Sequence, residues 1–235
     1  MPQHDKIPFR SKFDVNYQIV TEDEIDAKKK KVEQKYKTGT TTVGLVCKDG
    51  VVLAADKRAT MQFFVASKTA QKIHEIQPYL YMTIAGGVAD AQYLIELLKA
   101  ETELYNMRNP KDISVKAAAN LLSNILYQKK GWYQVGLILG GATEEENGLY
   151  DVGGYGSILP EKFCSVGSGS PFALGVLEAQ YSEGVTVEKG MDIAAAAVRS
   201  AVIRDIASGN GIDVVGIKKD GVIKKNYSIS EDPLK

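Results

Sequence analysis

Residues 40 to 57 constrain this chain more than any other stretch, because they read as the start of a packed sheet. Two runs of β-branched and aliphatic residues, Thr40 to Cys47 and Val51 to Ala55, are separated by Asp49-Gly50, the dipeptide that a type I′ hairpin turn prefers. The expectation is a strand, a turn at Asp49-Gly50 and a second strand ending near Lys57. The 39 residues before it are rich in Lys, Glu, Asp and Gln and poor in large apolar side chains, so they do not belong to the same core. The composition breaks at Gly39, and the domain is expected to span residues 40 to 235.

That break gives Thr40 a chemical interest that an internal threonine lacks. A threonine hydroxyl is a weak nucleophile, and most threonines that open a strand are there for β propensity. If the Gly39-Thr40 bond is cut, Thr40 acquires an α-amine of unperturbed pKa about 7.7 to 8.0, suited to act as general base near neutral pH. Nucleophile and base then share one residue. Removal of Met1 would expose Pro2 and cannot generate this terminus, so residues 1–39 would be a pro-segment released by processing. Within that segment Thr21 and Glu24 could form a capping box for a short charged helix, and the basic run at residues 28–31 is nearly cancelled by Glu22, Asp23, Glu24 and Asp26.

The order of elements after the first hairpin sets the fold class. Short strands are expected at Phe63 to Ala66, Lys72 to Ile76 and Tyr79 to Ala85, the last closing on Gly86-Gly87. From Val88 the apolar period becomes helical, with Ala91, Leu94, Ile95, Leu98 and Tyr105 on one face until Asn109-Pro110 stops it. A second helix is expected from about Asp112 to Lys129, then strands at Tyr133 to Gly140, Gly148 to Val152 and Lys162 to Val166. Ser170-Pro171 opens a third helix to about Tyr181, and Thr186 caps a fourth that is expected to run to Ser208-Gly209. Asp220-Gly221 marks a final hairpin between Asp213 to Lys218 and Val222 to Lys225. Helices grouped in pairs between sets of strands predict an α+β, four-layer sandwich in which antiparallel sheets lie between helix layers.

Composition removes several kinds of function. The 29 basic and 29 acidic residues cancel, which argues against a phosphate-binding surface, so no nucleic acid partner is expected. No long apolar span or secretory signal occurs, so the protein is expected to be soluble and cytoplasmic, with no membrane contact. Cys47 and Cys164 are expected to be buried free thiols. No metal-ligand spacing is present, and no cofactor or metal is expected. With only His4 and His74 in the chain, nucleophile–histidine catalysis is nearly excluded, and His74 reads as a strand or pocket residue. The remaining candidates are Asp56 and Arg58 ending the second strand, Lys72 heading an apolar strand, and Asp205 and Ser208 at i and i+3 of the last helix, hence on one face. A lysine near Thr40 would lower the proton affinity of hydroxyl and amine, and an aspartate would hold that lysine charged. Gly86-Gly87 at a helix N-terminus offers backbone N–H groups to an oxyanion. The loop Gly167-Ser168-Gly169-Ser170 lacks the spacing and the lysine of a P-loop.

The motifs from Gly39 to Gly44, Ala55 to Thr60, Lys72, Thr83 to Gly86, Gly167 to Pro171 and Arg204 to Gly209 together resemble the 20S proteasome β subunits, most closely those of archaeal type. The resemblance implies an N-terminal-nucleophile hydrolase fold and autocatalytic removal of residues 1–39. It implies that Thr40 is the nucleophile, that Lys72 lowers its pKa, that Asp56 orients the lysine, and that Ser168, Asp205 and Ser208 complete the network at the amine. Gly86 would serve the oxyanion. Thr60 would pair by its backbone with extended substrate, and Ala59, Ala70, His74, Ile84 and Val88 would line a first specificity pocket favouring cleavage after hydrophobic residues. The implied partners are α subunits and other β subunits in four stacked seven-membered rings, a regulatory ATPase acting through the α rings, and unfolded protein as substrate. A structural ring subunit without catalysis is the alternative, although such subunits typically lack the threonine, the lysine or the glycine, and all three are present here. A small-substrate amidase of the same fold class, or a two-ring bacterial relative, would match fewer of these segments.

Overall fold

The structure, a computed structural model, describes residues 39–228 apart from positions 62 and 130. The capping box at Thr21 and Glu24, the basic run and the rest of the expected pro-segment before Gly39 lie outside the described residues.

Two five-stranded antiparallel sheets face each other. The first has the order β10-β1-β2-β11-β12, with β1 at Thr42–Cys47, β2 at Gly50–Asp56, β10 at Phe163–Val166, β11 at Ile212–Lys218 and β12 at Gly221–Tyr227. The second has the order β5-β6-β7-β8-β9, with β5 at Ile73–Gln77, β6 at Leu80–Gly86, β7 at Val135–Ala142, β8 at Asn147–Gly153 and β9 at Ile158–Pro160. A separate two-stranded ribbon joins β3, Ala59–Met61, to β4, Phe64–Ser67. Four helices complete the fold: α1 at Val88–Arg108, α2 at Val115–Gln128, α3 at Ser170–Gln180 and α4 at Val187–Arg204.

Three apolar layers hold these elements together. Val51, Leu53, Ile73, Tyr81, Ile138 and Ile217 fill the space between the sheets. Leu80, Met82, Leu94, Leu98, Leu122 and Leu139 join the second sheet to α1 and α2. Val43, Leu45, Val52, Leu177, Met191 and Val198 join the first sheet to α3 and α4. The result is the expected four-layer sandwich. Strand β2 lies at its centre, and every one of its residues is buried. Val51, Leu53 and Ala55 point between the sheets, while Val52 and Ala54 point at the helices, so a strand with apolar layers on both faces reads as an unbroken apolar run.

The hairpins form one residue earlier than the sequence predicts. Cys47 pairs with Gly50 and Lys218 with Gly221, so the loops are Lys48-Asp49 and Lys219-Asp220. Neither Lys48 nor Asp49 has a positive φ, and the first turn is therefore not type I′. Gly50 serves a different end: a Cβ there would lie 2.1 Å from the Ile217 carbonyl oxygen of β11. The short strands β3 and β9 went unpredicted because three residues carry no periodicity. Tyr105 is 41% exposed and Thr102 takes its place on the buried face of α1. Ser114 caps α2 by accepting from the Ala117 N–H, and Thr186 caps α4 by accepting from the Lys189 N–H. The last helix ends at Arg204, not at Ser208-Gly209, because Asp205 is already extended, with φ −92° and ψ 116°. No described helix is long and apolar enough to cross a membrane.

Candidate active site

The β1–β2 hairpin places the start of the domain against the end of β2. Antiparallel pairing sets Thr42 beside Ala55, and one step further the Asp56 N–H donates to the Thr41 carbonyl at 3.1 Å. The Asp56 carboxylate, 1% exposed, accepts hydrogen bonds on both oxygens. Oδ1 takes the Thr41 N–H at 2.9 Å and Lys72 Nζ at 2.7 Å. Oδ2 takes the backbone N–H groups of Arg58 at 3.0 Å and Gly209 at 2.9 Å. All four acceptor positions of an ionised carboxylate are thereby used.

Lys72 precedes β5 and is itself 5% exposed. Burial pulls its pKa below the ordinary lysine value, opposed by the Asp56 carboxylate and, more weakly, by Asp205. The ammonium is therefore held by one carboxylate in a site that otherwise disfavours its charge.

A second network reaches Thr40 from the other side. The Thr40 N–H points at Ser168 Oγ at 3.2 Å, and Ser168 donates to Asp205 Oδ2 at 2.7 Å. Ser208 donates to the same oxygen at 2.7 Å and lies 2.7 Å from Thr41 Oγ1. With the Ser208 proton engaged on Asp205, Thr41 is the donor in that last contact. Both hydroxyl chains thus end on one carboxylate, and the lone pairs of Ser168 face the Thr40 nitrogen. Asp205 and Ser208 meet through the turn that follows α4, in which the Ser208 N–H bonds to the Asp205 carbonyl, and not through a shared helix face as the sequence predicts.

Gly39 explains itself by contact distance. Any Cβ at that position would fall 1.8 Å from Ala207 Cβ and 2.9 Å from Ser168 Oγ, so only glycine fits before Thr40. Its N–H donates to Thr60 Oγ1 at 3.0 Å, which sets Gly39 beside β3. Thr40 itself is 5% exposed.

One contributor was missed in the sequence. Thr41 joins the two networks, through its N–H on Asp56 and its hydroxyl on Ser208, and nothing in the run Thr40-Thr41-Thr42 distinguishes it. Arg58 holds the loop after α4, donating from Nε to Asn210 Oδ1 at 2.8 Å and from Nη1 to the Ile206 carbonyl at 2.9 Å. Its place beside Asp56 at the end of β2 is what made it a candidate in the sequence.

The remaining candidates lie around this centre. Gly86 closes β6 with φ +103°, and the Gly87 N–H beside it is taken by the Gln134 carbonyl at 2.8 Å. Ala59 and Thr60 lie in β3, and the Ala70 N–H bonds to the Lys57 carbonyl at 2.9 Å. Ile84 packs into the layer under α1, and Val88, half-exposed, begins that helix. His74 lines a groove of about 480 Å³ with Gln71, Tyr81, Lys99 and Lys224, and burial lowers its pKa. No group of His, Cys, Asp and Glu among the described residues could hold a metal ion. Cys47 and Cys164 are free and buried.

The profile of the family described as Proteasome subunit matches residues 36–217, most of the chain. The chain belongs to the proteasome family. Among its relatives, a proteasome subunit beta of Methanohalophilus mahii is 48% identical over 189 residues, covering 80% of this chain and 90% of that one. A proteasome subunit beta of Haloferax volcanii is 47% identical, covering 81% of this chain and 78% of that one. A proteasome subunit beta 2 of Aeropyrum pernix is 48% identical, covering 82% and 88%. These relatives make the chain a β-type proteasome subunit, and the sandwich of antiparallel sheets between helix pairs is the N-terminal-nucleophile hydrolase fold of that family. Family membership carries peptide hydrolysis in an assembly with other proteasome subunits.

Proposed function

We propose that this subunit is catalytic, a threonine endopeptidase whose nucleophile is Thr40. The observation that carries the reading is the meeting at Thr40 and Thr41 of two networks, the buried Lys72–Asp56 pair on the Thr41 N–H, and Ser168 with Asp205 and Ser208 on the Thr40 N–H and the Thr41 hydroxyl. A ring subunit that served only as structure would have no use for a lysine buried beside a carboxylate next to a threonine preceded by an obligatory glycine.

The chemistry runs in two stages. In the uncut chain Thr40 Oγ attacks the Gly39 carbonyl carbon, the Gly39–Thr40 C–N bond breaks, and an ester forms on Oγ. Water hydrolyses that ester, releasing residues 1–39 and leaving a free amine on Thr40. The amine then takes the hydroxyl proton as Oγ attacks a substrate carbonyl, and passes it to the departing amine as the acyl-enzyme forms. A second water hydrolyses the acyl ester. The Lys72 ammonium, close to Thr40 in the fold, favours the alkoxide and disfavours a charged amine, while Asp56 keeps the lysine in place. Ser168, its proton committed to Asp205, accepts from the amine and so fixes where the amine hydrogens point. Gly86 supplies an N–H to the oxyanion.

Substrate would lie extended along β3, pairing with the Thr60 backbone, with Ala59, Ala70, His74, Ile84 and Val88 near the residue whose carbonyl is attacked and a preference for hydrophobic side chains there. The subunit would work in the cytoplasm inside four stacked seven-membered rings with α subunits, fed with unfolded protein by an ATPase. Intact mass and N-terminal sequencing of the assembled subunit, beside Thr40→Ala, test the reading. The expected result is a chain beginning at Thr40, and a Thr40→Ala chain that stays uncut and inactive on a hydrophobic fluorogenic peptide. An assembled parent that keeps residues 1–39 would make the subunit structural.

A further inference from the structure

The turn that carries Asp205 and Ser208 is held from outside. The Asp205 N–H makes the last helical bond of α4, to the Ala201 carbonyl at 2.7 Å, and the residue itself is already extended. Beyond it the bonds are local, from the Ala207 N–H to Asp205 Oδ1 at 3.2 Å and from the Ser208 N–H to the Asp205 carbonyl at 3.2 Å. Ile206 is 81% exposed, so its side chain offers no apolar anchor. A swing of the turn about the helix end would keep the local bonds, yet it would carry Asp205 Oδ2 away from Ser168 and Ser208 Oγ away from Thr41.

What opposes that swing is the end of β2. Asp56 Oδ2 takes the Gly209 N–H at 2.9 Å, and the Lys57 N–H lies 3.1 Å from the Gly209 carbonyl and 3.2 Å from that of Gly211. These backbone contacts act at the far end of the turn. The Arg58 guanidinium acts across all of it, from Nη1 to the Ile206 carbonyl, next to Asp205, and from Nε to Asn210 Oδ1. Gly209 lies against the same group: a Cβ there would fall 2.4 Å from Cζ, so any side chain at that position would push the guanidinium aside. The Arg58 N–H bonds to Asp56 Oδ2 as well, so one residue ties the carboxylates of both networks to a common frame.

We infer that Arg58 is a positioning residue for the hydrolytic reaction: its guanidinium clamps the turn from Asp205 to Asn210 against the end of β2 and so keeps Asp205 and Ser208 aimed at Ser168 and Thr41. The inference rests on the peptidase reading above and adds to it a residue that acts through others. Arginine is required for its shape, because the planar fork reaches two acceptors in fixed directions, whereas a lysine ammonium is a single point on a flexible stem.

The test uses the assembled particle and a hydrophobic fluorogenic peptide, with kcat counted per subunit whose mass shows a chain beginning at Thr40, so that lost folding or processing does not enter. Arg58→Lys is expected to lower kcat about tenfold, less than a misplacement of about 1 Å costs, with KM within about twofold of the parent. Asn210→Gly removes the Nε acceptor at a residue whose φ is +65°, which glycine adopts freely, and is expected to lower kcat about threefold. Parent kcat in Arg58→Lys overturns the inference, and so does a change confined to KM, which would assign Arg58 to the placing of β3 instead. If Arg58→Lys yields no processed subunit, Asn210→Gly decides in its place by the same two criteria. A parent particle that does not cleave the peptide refutes the peptidase reading itself, and this inference with it.

Discussion

Replacement of Lys72 by methionine isolates the buried pair at the centre of the candidate site. The side chains are similar in volume, so the change removes the ammonium with little change in packing. What remains is the Asp56 carboxylate, 1% exposed, with the N–H groups of Thr41, Arg58 and Gly209 as its only partners among the four it has in the parent. Breaking a buried pair by deleting one ion costs about 3–5 kcal/mol. Three charge-assisted bonds from backbone N–H groups keep the carboxylate partly compensated, which puts the expected loss near the low end, about 3 kcal/mol. For a domain of this size that is a fall in Tm of about 6–12 °C. Calorimetry at fixed subunit concentration, in a Thr40→Ala background so that every chain stays uncut, reads the difference. Asp56→Asn is expected to cost more, because it strands the Lys72 ammonium and presents an NH₂ group where backbone donors already point. A Lys72→Met chain as stable as its parent, or Asp56→Asn as the milder change, would refute the account of the site as a saturated carboxylate. The pH dependence carries a sign as well. Lys72 binds its proton less tightly in the fold than in the unfolded chain, so between its lowered pKa and about 10.4 the unfolded state holds more protons and the parent gains stability as pH rises. The Lys72→Met chain lacks that rise.

Gly39→Ala would drive a methyl into Ala207 Cβ at 1.8 Å, and processing should slow by about a hundredfold or more, seen as accumulated uncut chain. Ala207→Gly in the same chain removes the nearest clash and should restore part of the rate; no restoration would place the defect elsewhere. Cys47, its thiol pushed up to about 12 by burial and by Asp49 and Glu188, and Cys164, its thiol raised well above the ordinary value by burial, should both resist iodoacetamide at pH 8 in the folded subunit and react fully in guanidinium. Mass spectrometry before and after denaturation reads both sites, and rapid native labelling would contradict their burial.

The layers were legible because the longer strands and the helices each carry an apolar run or period of their own. Val51 to Ala55, Leu94 to Leu98 and the alanine-rich stretch before Arg204 each declare what they pack against. The Asp-Gly pairs located both hairpins but not the loop residues, because Gly50 answers to the Ile217 carbonyl of a strand about 160 residues later in the chain. The same distance hid the order of the first sheet, in which β11 lies between β2 and β12. The residues named as catalytic candidates stood out as polar groups in apolar settings, Lys72 at the head of β5 and Asp56 at the end of β2. Thr41 did not, since its contribution lies wholly in what folds around it: an N–H aimed at Asp56 and a hydroxyl aimed at Ser208.

Thr41 also bears on how an uncut chain could prepare its own cleavage. The Thr40–Ser168–Asp205 and Thr41–Ser208–Asp205 chains, and the Thr41–Asp56–Lys72 link, are all in place with the Gly39–Thr40 bond intact. On the peptidase reading, the network around the nucleophile therefore does not wait for the free amine to organise it. What the amine adds after cleavage is a base, and the uncut chain must do without it. The uncut site has instead a Gly39 N–H held by Thr60 and no room for a side chain at residue 39, so the first carbonyl to be attacked is held by contacts that a later substrate has to reproduce. Self-cleavage then depends on position more than on base strength. That is why a methyl group at Gly39, which leaves every ionisable group untouched, is expected to impair processing so strongly.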